Sequence, residues 1–129
     1  MPYICGMKGT NTQEKLENTK AQMRKGILEL CVLSIISEKE AYPSDIITQL
    51  KQYQLIVVEG TLYPLLNRLK NAGLLGYTWK EATNGRKGPP RKYYTLTEEG
   101  NTFLQELLGT WNNLVNAVQK TTKNITTHE

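Results

Sequence analysis

Histidine is almost missing from this 129-residue chain, and the single one, His128, stands next to the C-terminal Glu129. Catalysis by Ser-His-Asp or Cys-His pairs, and metal sites built on imidazole, therefore have no base or ligand inside a fold. Cysteine is nearly as scarce. Cys5 lies in a polar leader and Cys31 in an apolar stretch, so neither a disulfide framework nor a four-cysteine metal site is available, and Cys31 reads as a small buried hydrophobe. No apolar run approaches the length of a membrane span, and the longest, from Leu30 to Ile36, is interrupted by Ser34. The start, Met1 to Lys8, lacks the long apolar core of a secretory signal, which points to a cytoplasmic location with no membrane partner. These absences leave no usable catalytic set, and neither enzymatic activity, a cofactor nor a bound metal is expected.

Charge is missing locally as well as present overall. The net charge of +4 is modest, yet no acid occurs between Gly60 and Lys80. From Lys80 to Lys92 the basic residues Lys80, Arg86, Lys87, Arg91 and Lys92 face the single acid Glu81. The stretch from Leu96 to Val118 is the reverse, with Glu98, Glu99 and Glu106 and no Lys or Arg. One part of the chain is suited to an anion and another is not.

The most legible element runs from Glu59 to about residue 72. Leu62, Leu65, Leu66 and Leu69 recur at the spacing of a helix that buries one side. The other side carries Thr61, Tyr63, Asn67 and Arg68, whose hydroxyl, phenol, amide and guanidinium groups bond phosphate oxygens and base edges. Pro64 predicts an irregular first turn, and Gly73 followed by Leu74 predicts a Schellman stop. Upstream, a helix is expected from Glu14, with Leu16, Met23, Ile27 and Leu30 on one stripe and an apolar core segment from Gly26 to Ile36. Pro43 opens a second helix, in which Ile46, Ile47 and Leu50 face inward.

After Gly73, residues 75–79 and 92–96 are rich in aromatic and β-branched side chains and flank a loop of Asn-Gly, Gly-Pro and Pro-Pro steps. The pattern predicts a hairpin with a basic tip, the wing of a winged helix-turn-helix domain, with Arg86, Lys87, Arg91 and Lys92 as phosphate or minor-groove contacts. Thr97 then caps a last helix, along which Leu104, Leu107, Trp111, Leu114 and Val118 form a heptad-like seam widened by Phe103, Leu108 and Val115. A helix over 98–120 is about 34 Å long, more than so small a domain covers, and a second copy is its economical partner. The expected architecture is mainly α with a small β-hairpin. It comprises a mobile leader (1–13), the winged domain (14–96), a dimerisation helix (97–120) and a polar tail (121–129).

The string Glu59-Gly60-Thr61-Leu62-Tyr63-Pro64, the strand Pro90-Arg91-Lys92-Tyr93-Tyr94 and the junction Leu96-Thr97-Glu98-Glu99-Gly100, in that order, resemble the PadR family of bacterial transcriptional regulators, over about residues 24–118. The short subclass, with one C-terminal helix, is the nearest likeness. The resemblance implies a homodimeric repressor on a double-stranded, pseudo-palindromic operator. It also implies a planar aromatic effector stacked on Trp111, the position where some members carry a stacking tryptophan. Two departures stand out: Ala41-Tyr42-Pro43-Ser44 replaces the family's Tyr-Gly-Tyr type of string, and residues 1–23 extend beyond its usual start. The rival reading is a winged-helix module that uses the same face for a protein partner. A salt titration of duplex binding separates the two.

Overall fold

The computed structural model describes residues 8–81 and 88–125. Its elements run α1 (Lys8–Glu38), α2 (Pro43–Gln52), α3 (Glu59–Asn71), β1 (Leu75–Lys80), β2 (Arg91–Leu96) and α4 (Glu98–Thr121). This is the mainly helical architecture with one hairpin that the sequence predicts. The leader expected to end at residue 13 is shorter, because α1 already begins at Lys8. Gly9, Thr10, Asn11 and Thr12 are poor helix formers, but they extend a helix already nucleated further along, which costs far less than starting one.

Each boundary has a local cause. Pro43 occupies the first helical position of α2, where no N–H is needed, and Asp45 Oδ2 accepts the Tyr42 backbone N–H at 3.3 Å. Helices α2 and α3 both end in Schellman geometry. At α3 the left-handed residue is Gly73 (φ 83°); its N–H reaches Lys70 O at 3.0 Å and the Leu74 N–H reaches Leu69 O at 3.0 Å. At α2 the same two bonds run from Gln54 to Lys51 O and from Leu55 to Leu50 O, both 2.9 Å, but the left-handed residue is Gln54 (φ 64°). The irregular turn expected at Pro64 does not occur. Both the Thr61 and Leu62 N–H groups bond Val58 O at 3.0 Å, and α3 stays helical through Pro64. Pro64 lies on the exposed face, where water can serve the carbonyl it leaves without a partner.

One apolar core joins all the elements. Val32, Leu33 and Ile36 of α1, Ile46 and Leu50 of α2, the four α3 leucines, and Leu74, Leu75, Tyr94 and Leu104 form a single buried cluster, in which α1 packs directly on α2, β2 and α4. No polar or charged side chain is buried among the described residues. The hairpin is antiparallel, with Leu75 opposite Leu96, Tyr77 opposite Tyr94 and Trp79 opposite Lys92. A third segment joins its edge: Ala41 N donates to Tyr94 O at 3.0 Å and Tyr94 N to Ala41 O at 2.8 Å. The hairpin is thus fastened to the α1–α2 corner.

The root of α4 is fastened more tightly still. Thr97 Oγ1 accepts the Gly100 N–H at 2.9 Å, the N-cap the sequence predicts, and turns its own hydroxyl toward Gly73 O (2.8 Å) and Leu74 O (3.0 Å). Thr97 N also donates to Leu74 O at 3.1 Å. Gly100 is buried against that carbonyl, and a Cβ there would lie 2.1 Å from Leu74 O. The Leu-Thr-x-x-Gly string therefore has a physical reason: the threonine caps α4, and the glycine lets its first turn touch the end of α3.

Two expectations about apolar stripes need correction. Leu104, assigned by pattern to a subunit interface, is 2% exposed in the single chain and belongs to its core, with Leu107 and Leu108 half-buried against the same cluster. The remainder of the seam is open, with Trp111 39%, Leu114 54% and Val118 57% exposed, Phe103 similar to Trp111 and Val115 half-buried. On α1, Leu16 and Met23 are exposed, the latter by 70%, because no other described residue buries that helix from Thr12 to Gly26. Inward burial on α1 begins only near Ile27.

Candidate DNA-binding surface

The outward face of α3 is built by default. With Leu62, Leu65, Leu66 and Leu69 committed to the core, Thr61, Tyr63 and Asn67 must stand in solvent, and they do. Burial, with Glu59 nearby as the next cause, pushes the Tyr63 phenol above its ordinary pKa, so it remains a protonated donor at neutral pH. Thr61 also borders a groove of about 360 Å3 between α1 and the α2–α3 turn, whose mouth carries Arg24 and Lys25.

Arg68 departs from the expected pattern. Its side chain is exposed, but one guanidinium nitrogen lies 3.0 Å from Glu29 Oε1 of α1. The predicted reader of bases is thereby engaged, through one nitrogen, in an ion pair that bridges α1 and α3. Lys80 is likewise paired, with Glu40. Arg86 and Lys87 lie outside the described residues.

Arg91 and Lys92 are both expected from the sequence to contact phosphate or the minor groove, but neighbours on a strand point to opposite faces. The Arg91 guanidinium lies 5.0 Å from the Tyr42 ring centroid, on the side where Tyr42 and Tyr93 approach to 5.8 Å. The Lys92 ammonium lies on the other side, 4.1 Å from the Tyr77 ring, 5.5 Å from Tyr94 and 5.8 Å from Trp79. Lys70, a residue outside the predicted set, comes from α3 to within 5.4 Å of the same Tyr77 ring. Its sequence signal is present: Tyr63, Asn67 and Lys70 repeat at i, i+4 and i+7, one continuous polar stripe.

The arrangement offers hydroxyl, phenol and amide groups on one exposed helix, flanked by ammonium groups on an adjoining hairpin, which is the chemistry of duplex recognition. Comparison with known proteins agrees. The model of the PadR-like transcriptional regulator family matches residues 32–106. The chain belongs to that family.

Solved PadR-like structures share the fold. A PadR-like transcription factor from Bacteroides fragilis is 55% identical, with 81% of this chain and 98% of that one covered at a TM-score of 0.66. A PadR family regulator from Eggerthella lenta, 31% identical, covers 89% of this chain and 98% of its own at 0.77. A PadR-like regulator from Bacillus cereus, 36% identical, covers 80% and 98% at 0.71. This PadR-like protein is therefore a DNA-binding transcription regulator of winged-helix type. Among the described residues no helix is long and apolar enough to cross a membrane, and no cluster of His, Cys, Asp or Glu could hold a metal ion.

Proposed function

We propose that this PadR-like chain is a homodimeric, sequence-specific repressor that sets its two α3 helices into successive major grooves of a pseudo-palindromic operator. The observation that carries the reading is the α3 stripe of Thr61, Tyr63 and Asn67, held outward by four buried leucines and flanked by cations. The open seam of Phe103, Trp111, Leu114, Val115 and Val118 supports a second copy as the partner of α4, because an apolar stripe of that length is costly in water. Sedimentation of a stable monomer at micromolar concentration would remove the dimer from the proposal.

The test of DNA binding is a salt titration. Three phosphate-bound cations per subunit release about six counterions, so the log–log slope of affinity against salt is near −5. Arg68→Ala relaxes sequence preference, and Lys87→Ala weakens all duplexes alike. A flat slope would favour a protein partner for this face.

Release of the repressor is assigned to a planar aromatic effector at Trp111. Its ring is partly exposed in the single chain and stands on the open seam of α4, where a flat molecule can stack against it. Such a ligand acts only if it prefers one dimer arrangement over another. Fluorescence quenching by planar dyes that persists in Trp111→Leu would assign the signal to Trp79 and leave Trp111 as interface alone.

A further inference from the structure

The described cations of α3 and the hairpin differ in their partners. Arg68 and Lys80 are each held by a carboxylate, Glu29 and Glu40. Lys70 and Lys92 have no acidic partner among the described residues. They come from different elements, α3 and β2, yet both ammonium groups lie against one side chain, Tyr77 of β1, at 5.4 and 4.1 Å from its centroid. Like charges gathered on one ring repel, and the ring's attraction for each ammonium offsets part of that repulsion. A ring attracts an ammonium without consuming its hydrogen bonds. Each lysine thus keeps donors for another acceptor, whereas an ion-paired cation has its charge already matched.

We propose that Lys70 and Lys92, gathered on Tyr77, form a phosphate-binding site for one stretch of duplex DNA backbone, and that Tyr77 is the positioning residue that sets the hairpin's grip in register with the recognition helix. The inference rests on the DNA-binding reading above and deepens it. The site sits where the stripe of Tyr63, Asn67 and Lys70 runs into the hairpin, in a part of the sequence without acids from Gly60 to Lys80. A backbone that follows α3 toward the hairpin meets these two ammonium groups where α3 and the hairpin adjoin. Trp79, edge-on to Tyr77 with centroids 6.2 Å apart, holds the outer side of the ring and limits its swing.

The test uses the full-length protein and a mixed-sequence DNA duplex long enough for two half-sites, with affinity measured across a range of salt. Lys70→Gln and Lys92→Gln each make the log–log slope shallower by about 0.9 for every phosphate that is no longer neutralised. Tyr77→Leu reproduces the slope of the double lysine variant although both lysines remain, and Tyr77→Phe, which keeps the ring face, restores the wild-type slope. Thermal melting of each variant separates loss of grip from loss of fold. A lysine variant with the wild-type slope, or a Tyr77→Phe protein that behaves like Tyr77→Leu, would overturn the site while leaving DNA binding standing. A wild-type protein with no salt-dependent affinity for the duplex would overturn the DNA-binding reading itself, and this site with it.

Discussion

Replacing Gly100 by alanine tests the joint between the winged domain and its long helix. Elsewhere in a helix this change stabilises by about 1 kcal/mol, since alanine is the better helix former. At Gly100 the new Cβ would lie 2.1 Å from Leu74 O, 3.0 Å from Leu74 C and 2.8 Å from Leu96 Cδ1. An ordinary carbon–oxygen contact is more than 3 Å, so the backbone must part by roughly 1 Å, as overpacking at about 1–3 kcal/mol requires. The same carbonyl accepts Thr97 N and Thr97 Oγ1, and parting it strains the N-cap, worth about 1 kcal/mol. The losses exceed the propensity gain, and the net expectation is destabilisation by about 1–3 kcal/mol. For a chain of this size that lowers Tm by roughly 10 °C. The assay is thermal and urea unfolding at one fixed protomer concentration, because dimerisation makes Tm depend on concentration. A Gly100→Ala protein as stable as wild type would show that the close approach of α4 to Leu74 is wrong.

Four further outcomes are expected. Gly109→Ala, on the same helix but with an open Cβ position in the single chain, should stabilise by up to about 1 kcal/mol in urea unfolding if solvent covers it; weaker dimerisation in sedimentation would instead show that a partner helix packs closely there. Gln54→Gly should stabilise by about 1 kcal/mol, because it relieves the left-handed conformation that an L side chain disfavours, and a lowered urea midpoint would contradict this. Glu29→Gln should change stability by less than about 1 kcal/mol, as expected for an exposed pair, while freeing Arg68 and tightening duplex binding at low salt. Leu114→Lys with Val118→Lys should leave secondary structure intact by circular dichroism and yield monomers, since both side chains are exposed in the single chain.

What the sequence disclosed was mostly what neighbouring residues decide among themselves. The Gly73-Leu74 stop, the Pro43 start and the Thr97 cap each depend on a few consecutive residues, and each is where the pattern placed it. The four leucines of α3 are equally legible, because their period names a buried face without saying what buries it. The seam of α4 shows the limit of that logic. A periodic stripe marks apolar positions, but only packing shows that Leu104 meets its own core while Leu114 and Val118 do not. Arg68 differs from its expected role for a related reason: the exposed arc of a helix is wide, and one edge of it faces Glu29 on α1 rather than open solvent. The Lys70–Tyr77–Lys92 cluster unites residues from three elements, and no local pattern brings them together.

The Thr97 cap and Gly100 converge on the carbonyl of Leu74, just past the α3 stop, and Leu104, Leu107 and Leu108 seat the next turns against the core, so the 24-residue α4 is mounted on the reading head along its first half alone. Mechanically it is a lever welded at one end. Over a length of about 36 Å, a tilt of about 5° at the mount moves the far end by about 3 Å, close to the rise of one base pair. The relation also runs backward: where two such levers are clasped along their outer halves, a shift of one base-pair step there becomes a few degrees of rotation at each α3. In such a dimer the fit of that first half, from Gly100 to Leu108, thereby sets the tolerance to which the separation of the two reading heads can be held.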